Sequence, residues 1–538
     1  MMKFTENPNA KQYGKTVYGY NIINGQEKES KSGQRFDSLN PSYLKDKIGS
    51  FPMSTEEDVE EACIAAKEAF QMWKNTPAPI RGGIIGNIGH VLTENKDLLA
   101  KLVTREIGKT PKEALGSVQE AIDTAQFFQS EGRRLYGQTV PSEMKNKELY
   151  TYRRPVGVTG VITAGNFPIA VPSWKIIPAL LCGNTVVWKP SEDASTLAYM
   201  FVKLLEEAGV PKGVVNLIHG TGASTGQALL KMVDKGYLQK FSFTGSTQVG
   251  RIVGEVCGRN LLVPSLELGG KNPLIVMEDA DLELAVSGAI WSSFGTAGQR
   301  CTSAGNIILH KSIAKEFKEK FLAEAKKIKI GNPNLGEQVL YGPMMEKRFL
   351  DTFMKNYEMG KEDGATLLYG NGIITKDNKP DNFVGEPDEG YFAWPVIWDN
   401  VTIDMKLAQT EIFGPVITLI EVNDIDEAMK VANGTIYGLS SAIYTNNPEY
   451  MYKFKNEITA GMSSINNSTT GAEAHLPFGG NGASGNNTRE SGVWVIDSYT
   501  KWHAVNVDLS GKLQLAQMDT EYVEEKEKID LSEIFAVE

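Results

Sequence analysis

The sequence predicts an α/β protein built from two parallel-sheet domains. Three observations lead there. At 538 residues the chain exceeds the size at which one core stops growing, so two or three domains are expected. Between 156 and 270, short β-rich runs recur with one helical segment between each pair, the rhythm of βαβ crossovers. A second series of such runs then follows as far as residue 466.

Taken in order, the first element is helical. STEEDVEEACIAAKEAFQMW opens with a Ser/Thr cap and acidic residues in the first turn, then places apolar residues at three-four spacing; the helical pattern continues to about residue 135. The first strand series is VTGVIT, NTVVWK, VVNLIH, KFSFTG and VPSLELGG. The second is NPLIVM, NIILH, ATLLYG, AWPVIWD, GPVITLIEV, SSAIYT and MSSIN, alternating with amphipathic helices such as SIAKEFKEKFLAEAKKI. Apolar strands joined by helices are covered on both faces of their sheet. ELYTYRRP (148–155) and TKWHAVNV (500–507) alternate like strands and flank the two domains, so they are expected to pair as a small sheet outside both. The acidic end DTEYVEEKEKIDLSEIFAVE reads as a short docked helix or a frayed tail.

Composition excludes several classes. A net charge of −11 argues against a nucleic-acid footprint, which needs a basic face. The longest weakly charged run, 156–188, is broken by Gly160, Gly165, Pro168, Pro172, Lys175, Pro178 and Gly183, too often for a membrane span. The opening MMKFTENPNAKQYGK lacks the basic-then-apolar pattern of a leader. Cys63, Cys182, Cys257 and Cys301 do not make a disulfide framework and predict a reducing, cytoplasmic setting. The five histidines show no paired spacing, so no metal is expected.

Four motifs carry chemistry, and each has a plainer reading. In FTGSTQVG, Gly245 and Ser246 stand where a strand gives way to a helix, either an anion site or an ordinary N-cap. HGTGASTG has one residue too many for a dinucleotide fingerprint and reads as a turn. In VVWKPSEDAS, Lys189 and Glu192 project past a strand end, where ligands bind in open α/β folds; a solvated loop is the alternative. In LELGGKNP, Glu267 sits inside an apolar strand, where desolvation raises its pKa and suits a general base, unless a buried arginine pairs with it. In FGTAGQRCT, glycines let other groups approach Cys301 and Arg300 adds positive charge, a setting that favours a thiolate. The other three cysteines read as small apolar residues.

Together and in this order, TAGNFP, KPSE, FTGST, ELGGK, GQRC, EIFGP and PFGG resemble the aldehyde dehydrogenase superfamily from about residue 35 to 515. QVLYGPM, TAGQRCTSA, TGAE and RESG are more loosely similar to its amino-semialdehyde (antiquitin-like) group, from whose usual pattern KPSE departs. The resemblance implies two doubly wound domains and a small oligomerisation sheet. Residues 1–140 and 156–266 would form the cofactor-binding domain and 267–483 the catalytic domain. Residues 141–155 and 484–510 would bridge between subunits, and 511–538 would be the tail. It further implies that Cys301 attacks the aldehyde and that Asn166, with the cysteine amide, holds the oxyanion. Hydride then leaves for a nicotinamide, and Glu267 activates the water that hydrolyses the thioester, with Lys175 and Glu490 as a proton relay. Lys189 and Glu192 would hold the adenosine ribose, Gly245 and Ser246 the pyrophosphate, and Glu411 and Phe413 the nicotinamide ribose. A carboxylate at 192 repels a 2′-phosphate, so NAD is expected over NADP.

Phe167 and Phe478 would line the substrate chain. Thr470, Gly471 and Ala472 would meet a distal carboxylate, and Glu473 an amine. The expected substrate is a polar aldehyde such as an amino-acid semialdehyde, with a glyceraldehyde-type or broad-specificity enzyme as the alternative. The presence of Glu267 argues against transfer to CoA, and the expected assembly is a homodimer or homotetramer.

Overall fold

The structure, a computed structural model, describes residues 3–336, 338–520 and 530–535. A seven-stranded sheet runs in the order Ser265–Glu267, Lys240–Thr244, Val158–Ile162, Thr185–Lys189, Val215–Leu217, Asn21–Ile23, Gln26–Lys28. Its first five strands are parallel, and the chain starts in the middle and winds outward both ways. Val186 and Trp188 pack into one apolar cluster while Val187, between them, packs into another. Helices therefore cover both faces, as a continuous apolar strand requires.

A second seven-stranded sheet has the order Thr366–Tyr369, Val396–Asp399, Val416–Val422, Ala304–His310, Asn272–Val276, Ser440–Tyr444, Met462–Ile465. All are parallel except the edge strand Thr366–Tyr369. The helices of its core include Leu282–Phe294 and Lys311–Ala325. Outside both sheets, Lys147–Pro155 pairs antiparallel with Thr500–Asp508, and Thr139–Val140 adds a third strand.

The main addition to the sequence reading is at the amino end. Arg35–Asn40 and Tyr43–Pro52 form a hairpin in a separate four-stranded sheet with Lys3–Thr5 and Thr16–Tyr18. Asn21–Ile23 and Gln26–Lys28 form a second hairpin that extends the first large sheet by two antiparallel strands. Its turn residues, Asn24 and Gly25, have φ of 53° and 68°, the paired positive values that an Asn-Gly hairpin turn uses. In the acidic tail, Leu531–Phe535 is an exposed 3₁₀ turn; residues 521–529 and 536–538 lie outside the described residues. All four cysteines are unpaired. Among the described residues no helix is long and apolar enough to cross a membrane.

Candidate active site

The first sheet reverses its winding between Val158–Ile162 and Lys240–Thr244, and ligands bind beyond the carboxyl ends of strands at such a point. Asn166 follows the first of these strands, Gly245 and Ser246 the second, and Lys189 and Glu267 end two others. The amino edge of the second sheet faces them, with Cys301 just before Ala304–His310 and Glu411 just before Val416–Val422. Between the edges lies a cleft of about 1710 Å³ lined by every residue that the sequence singled out. A pocket for one small ligand spans roughly 300–1,000 Å³, so this cleft has room for two.

Cys301 sits on a tight turn. Thr296 and Ala297 have φ of 53° and Gly298 has 67°; a side chain on Gly298 would come within 2.2 Å of the Gly414 carbonyl, so only glycine fits. Asn272 Nδ2 donates to the carbonyls of Cys301 and Ser303 (both 2.7 Å), and Thr469 Oγ1 donates to that of Thr302 (2.7 Å). Gln299 donates to the Pro343 carbonyl (3.3 Å) and accepts from the Met345 amide (2.9 Å). The turn is over-determined, and that allows strained φ values to persist.

Arg300 does not act as the sequence suggested. Its guanidinium pairs with Glu113 (2.6 Å), donates to Thr296 Oγ1 (2.9 Å) and lies 4.3 Å over Trp291. Burial, Glu267 and Glu411 push the Cys301 thiol up to about 12. A thiol held that high must lose its proton before the sulfur can attack.

Glu267 is 4% exposed, and neither carboxylate oxygen has a hydrogen-bond partner. Burial, reinforced by Glu490, raises its pKa well above the ordinary carboxylate value. Among the described residues no arginine pairs with it. Gly479 leaves it room, since a side chain there would approach Oε1 to 2.8 Å. Behind it, Lys175 Nζ donates to Glu490 Oε1 (2.7 Å) and Ser242 Oγ (2.9 Å). Asn166 Nδ2 donates to the Gln299 carbonyl (2.9 Å); an amide nitrogen carries two hydrogens, so the second remains available.

At the other end, Lys189 donates to Glu192 (3.0 Å) and Arg348 pairs with both Glu192 (3.0 Å) and Asp193. Although burial opposes its charge, Lys189 and Arg348 hold Glu192 at about 2. Glu192 is thus ionised but flanked by two cations, and Arg348 drew no attention in the sequence. Ser246 caps the helix Thr247–Arg259 through its hydroxyl, which accepts from the Val249 amide, so the plain capping reading holds for that side chain. Glu411 accepts from the Gly270 amide (3.2 Å), and burial raises it to about 7. Phe413 packs against Phe349, the rings tilted and 5.4 Å apart, with φ of 52°, a strained conformation for an aromatic residue.

On the substrate side, Phe478 packs on Trp174 (4.8 Å), and Phe167, Cys301 and Ala472 border the same small apolar cluster. The Thr470 hydroxyl is engaged with Ser468 Oγ (3.1 Å), and Gly471 follows with φ of 133°. Glu473 is exposed and lies 3.3 Å from His475 at the mouth.

A family model described as the aldehyde dehydrogenase family matches residues 28–505. The chain is 40% identical over 480 residues to the α-ketoglutaric semialdehyde dehydrogenase of Bacillus subtilis, covering 89% of this chain and 96% of that one. It is 38% identical over 460 residues to malonate-semialdehyde dehydrogenase 2 of Geobacillus kaustophilus, covering 86% and 92%. Among solved structures it resembles betaine aldehyde dehydrogenase from Staphylococcus aureus in complex with NAD+, with a TM-score of 0.87 and 30% identity over 92% of this chain and 98% of that one.

Proposed function

The chain belongs to the aldehyde dehydrogenase family, and from that premise we propose that it oxidises a short carboxylate-bearing aldehyde to the acid through an acyl group on Cys301. One observation carries the reading. A buried, unpartnered carboxylate with a raised pKa, Glu267, lines the same cleft as the only cysteine that reaches it among the described residues. A carboxylate kept from water in this way binds a proton more tightly than an exposed one, as a general base must.

The proposed roles follow from the chemistry of each group. Cys301 Sγ gives up its proton to solvent water and bonds to the aldehyde carbon. The second Nδ2 hydrogen of Asn166 and the Cys301 amide hold the resulting oxyanion, a contact worth ~3–4 kcal/mol in such sites. NAD, when bound, supplies the hydride acceptor. Glu267 then takes a proton from the water that hydrolyses the thioester. Glu490, held by Lys175, raises the basicity of Glu267 by its adjacent charge and offers the next proton acceptor.

The donor set suits a dinucleotide. Lys189 and Glu192 offer a buried donor–acceptor pair for a ribose diol, and the amino end of Thr247–Arg259 offers amides to a pyrophosphate. Glu411 and Phe413 sit nearer Cys301, suited to the nicotinamide ribose. NADP is disfavoured by Glu192 and favoured by Arg348 and Lys189, so discrimination between the two is a matter of degree.

The relatives named for oxo-acid semialdehydes support a distal carboxylate rather than an amine. The exposed Glu473, beside His475, is poorly placed to select an amine. In this reading residues 156–266 belong to the cofactor-binding domain and 267–483 to the catalytic domain, while Thr139 and Val140, expected in the cofactor-binding domain, join the small sheet of 147–155 and 500–508 that would hold copies of the chain together. The four free thiols suit the cytoplasm. The reading is tested by incubating the protein with NAD and an aldehyde, with and without CoA, and identifying the product. Free acid in both cases supports it; an acyl-CoA product, or no oxidation, contradicts it.

A further inference from the structure

Beneath Phe167 the cleft holds a charged group that the proposed chemistry leaves unused. Lys109 lies in the short turn between the helices Lys96–Ile107 and Pro111–Glu131. It is 2% exposed, it lines the cleft, and its Nζ has no hydrogen-bond partner among the described residues. The ammonium sits 3.3 Å from the centroid of the Phe167 ring. A buried ammonium with unused donors is disfavoured until an acceptor reaches it, and burial lowers Lys109 to about 7.

The surrounding charges do not provide that acceptor. Glu113 is taken up by Arg300 and by the hydroxyls of Thr296 and Thr110. Glu120, also facing the cleft, is pushed by burial up to about 8. Asp123 is exposed and accepts from Gln119. Glu113 is thus committed to Arg300, and no acceptor among the described residues reaches Lys109 Nζ. Phe167 borders the same apolar patch as Cys301, so a short methylene chain crossing it connects the sulfur with Lys109. The two are close enough for a charge on Cys301 to act on Lys109.

We propose that Lys109 receives the distal carboxylate of a short ω-oxo acid whose aldehyde carbon lies at Cys301. This rests on the dehydrogenase reading above, and it moves carboxylate recognition from the loop 470–473 to the turn at 109. The loop's hydroxyl already has a hydrogen-bond partner, whereas the ammonium has none among the described residues.

The test compares kcat/KM for 5-oxopentanoate with that for pentanal, which has the same chain length and no carboxylate. Their ratio cancels any general loss of active protein. Wild type should favour the oxo acid by at least about tenfold, the scale of one charge-assisted contact. Lys109→Met should remove most of that preference, chiefly through a higher KM for the oxo acid. Lys109→Arg, which keeps the charge, should retain a substantial part of it. The proposal is overturned if Lys109→Met leaves the ratio within about twofold of wild type, or if Lys109→Arg loses as much as Lys109→Met. Oxidation of pentanal by wild type without preference for the oxo acid also overturns it and leaves the dehydrogenase reading standing. Failure to oxidise either compound contradicts both.

Discussion

Replacing Cys301 with Ser exchanges the sulfur for a hydroxyl that the site cannot ionise, since burial and two carboxylates already oppose a negative charge there. Turnover should fall below about one-tenth of wild type, while NAD binding, followed by fluorescence titration, stays close to normal. Asn166→Ala should lower kcat by roughly 10²–10³, the cost of one oxyanion donor, with little change in NAD affinity. Glu267 also carries a stability cost. Its folded pKa is raised, so below the ordinary carboxylate pKa both states are protonated and nothing is lost. As pH rises, the unfolded chain ionises first and the fold loses about 1.4 kcal/mol per unit of displacement until the folded pKa is passed. Glu267→Gln should therefore have a higher Tm than wild type at pH 7–8, with the gap closing toward pH 4; equal melting at both ends would refute the raised pKa. At this scale the burial of Glu267 was legible because its apolar strand neighbours set its surroundings, whereas Asn166 came only from the resemblance of TAGNFP. The direction of Arg300 was not legible, because its partner Glu113 lies 187 residues away.

The helix Pro111–Glu131 shows how one element serves several ends. Thr110 and Glu113 cap its amino end reciprocally, and the same Glu113 carboxylate anchors Arg300 and Thr296 of the cysteine turn. The turn preceding that helix carries Lys109. At the sheet edge, the Lys189–Glu192–Arg348 cluster predicts cofactor choice. Glu192→Ser would leave Lys189 without its carboxylate and Arg348 paired only with Asp193 and Glu346, and the NADP:NAD ratio of kcat/KM should rise by roughly 5- to 150-fold. A ratio that does not move would show that the 2′ position lies elsewhere. Strand assignments from 156 to 466 were legible because buried parallel strands are long apolar runs between helices. The hairpin of Asn21–Ile23 and Gln26–Lys28 was missed because three-residue strands offer too little alternation, although Asn24-Gly25 was a readable turn signal; the longer one, Arg35–Asn40 and Tyr43–Pro52, was missed because its buried Asp46 reads as exposed until Arg105 pairs with it through the fold. Arg348 was missed because it joins Glu192 only through the fold, 156 residues apart.

Across the whole molecule, the carboxyl edge of one sheet and the amino edge of the other face a single cleft, which is how residues from 109 to 490 come to share it. That two α/β domains and a small sheet exist was legible from strand rhythm; how their edges meet was not, since no local pattern encodes it. The small sheet buries neither face well: Tyr152 is 36% exposed and Trp502 is 53%. Trp502→Glu should shift the sedimenting species to a smaller assembly if the ribbon joins subunits, and an unchanged sedimentation coefficient would exclude that role. The central claim is an acyl group on Cys301 that Glu267 releases, and Glu267→Gln with NAD and an aldehyde tests it most directly. Intact mass and peptide mapping should find one acyl group on the peptide containing Cys301 and one equivalent of NADH per active site, followed by little further turnover. An unmodified Cys301 after that first equivalent, an acyl group on another residue, or continued turnover at the wild-type rate would contradict it.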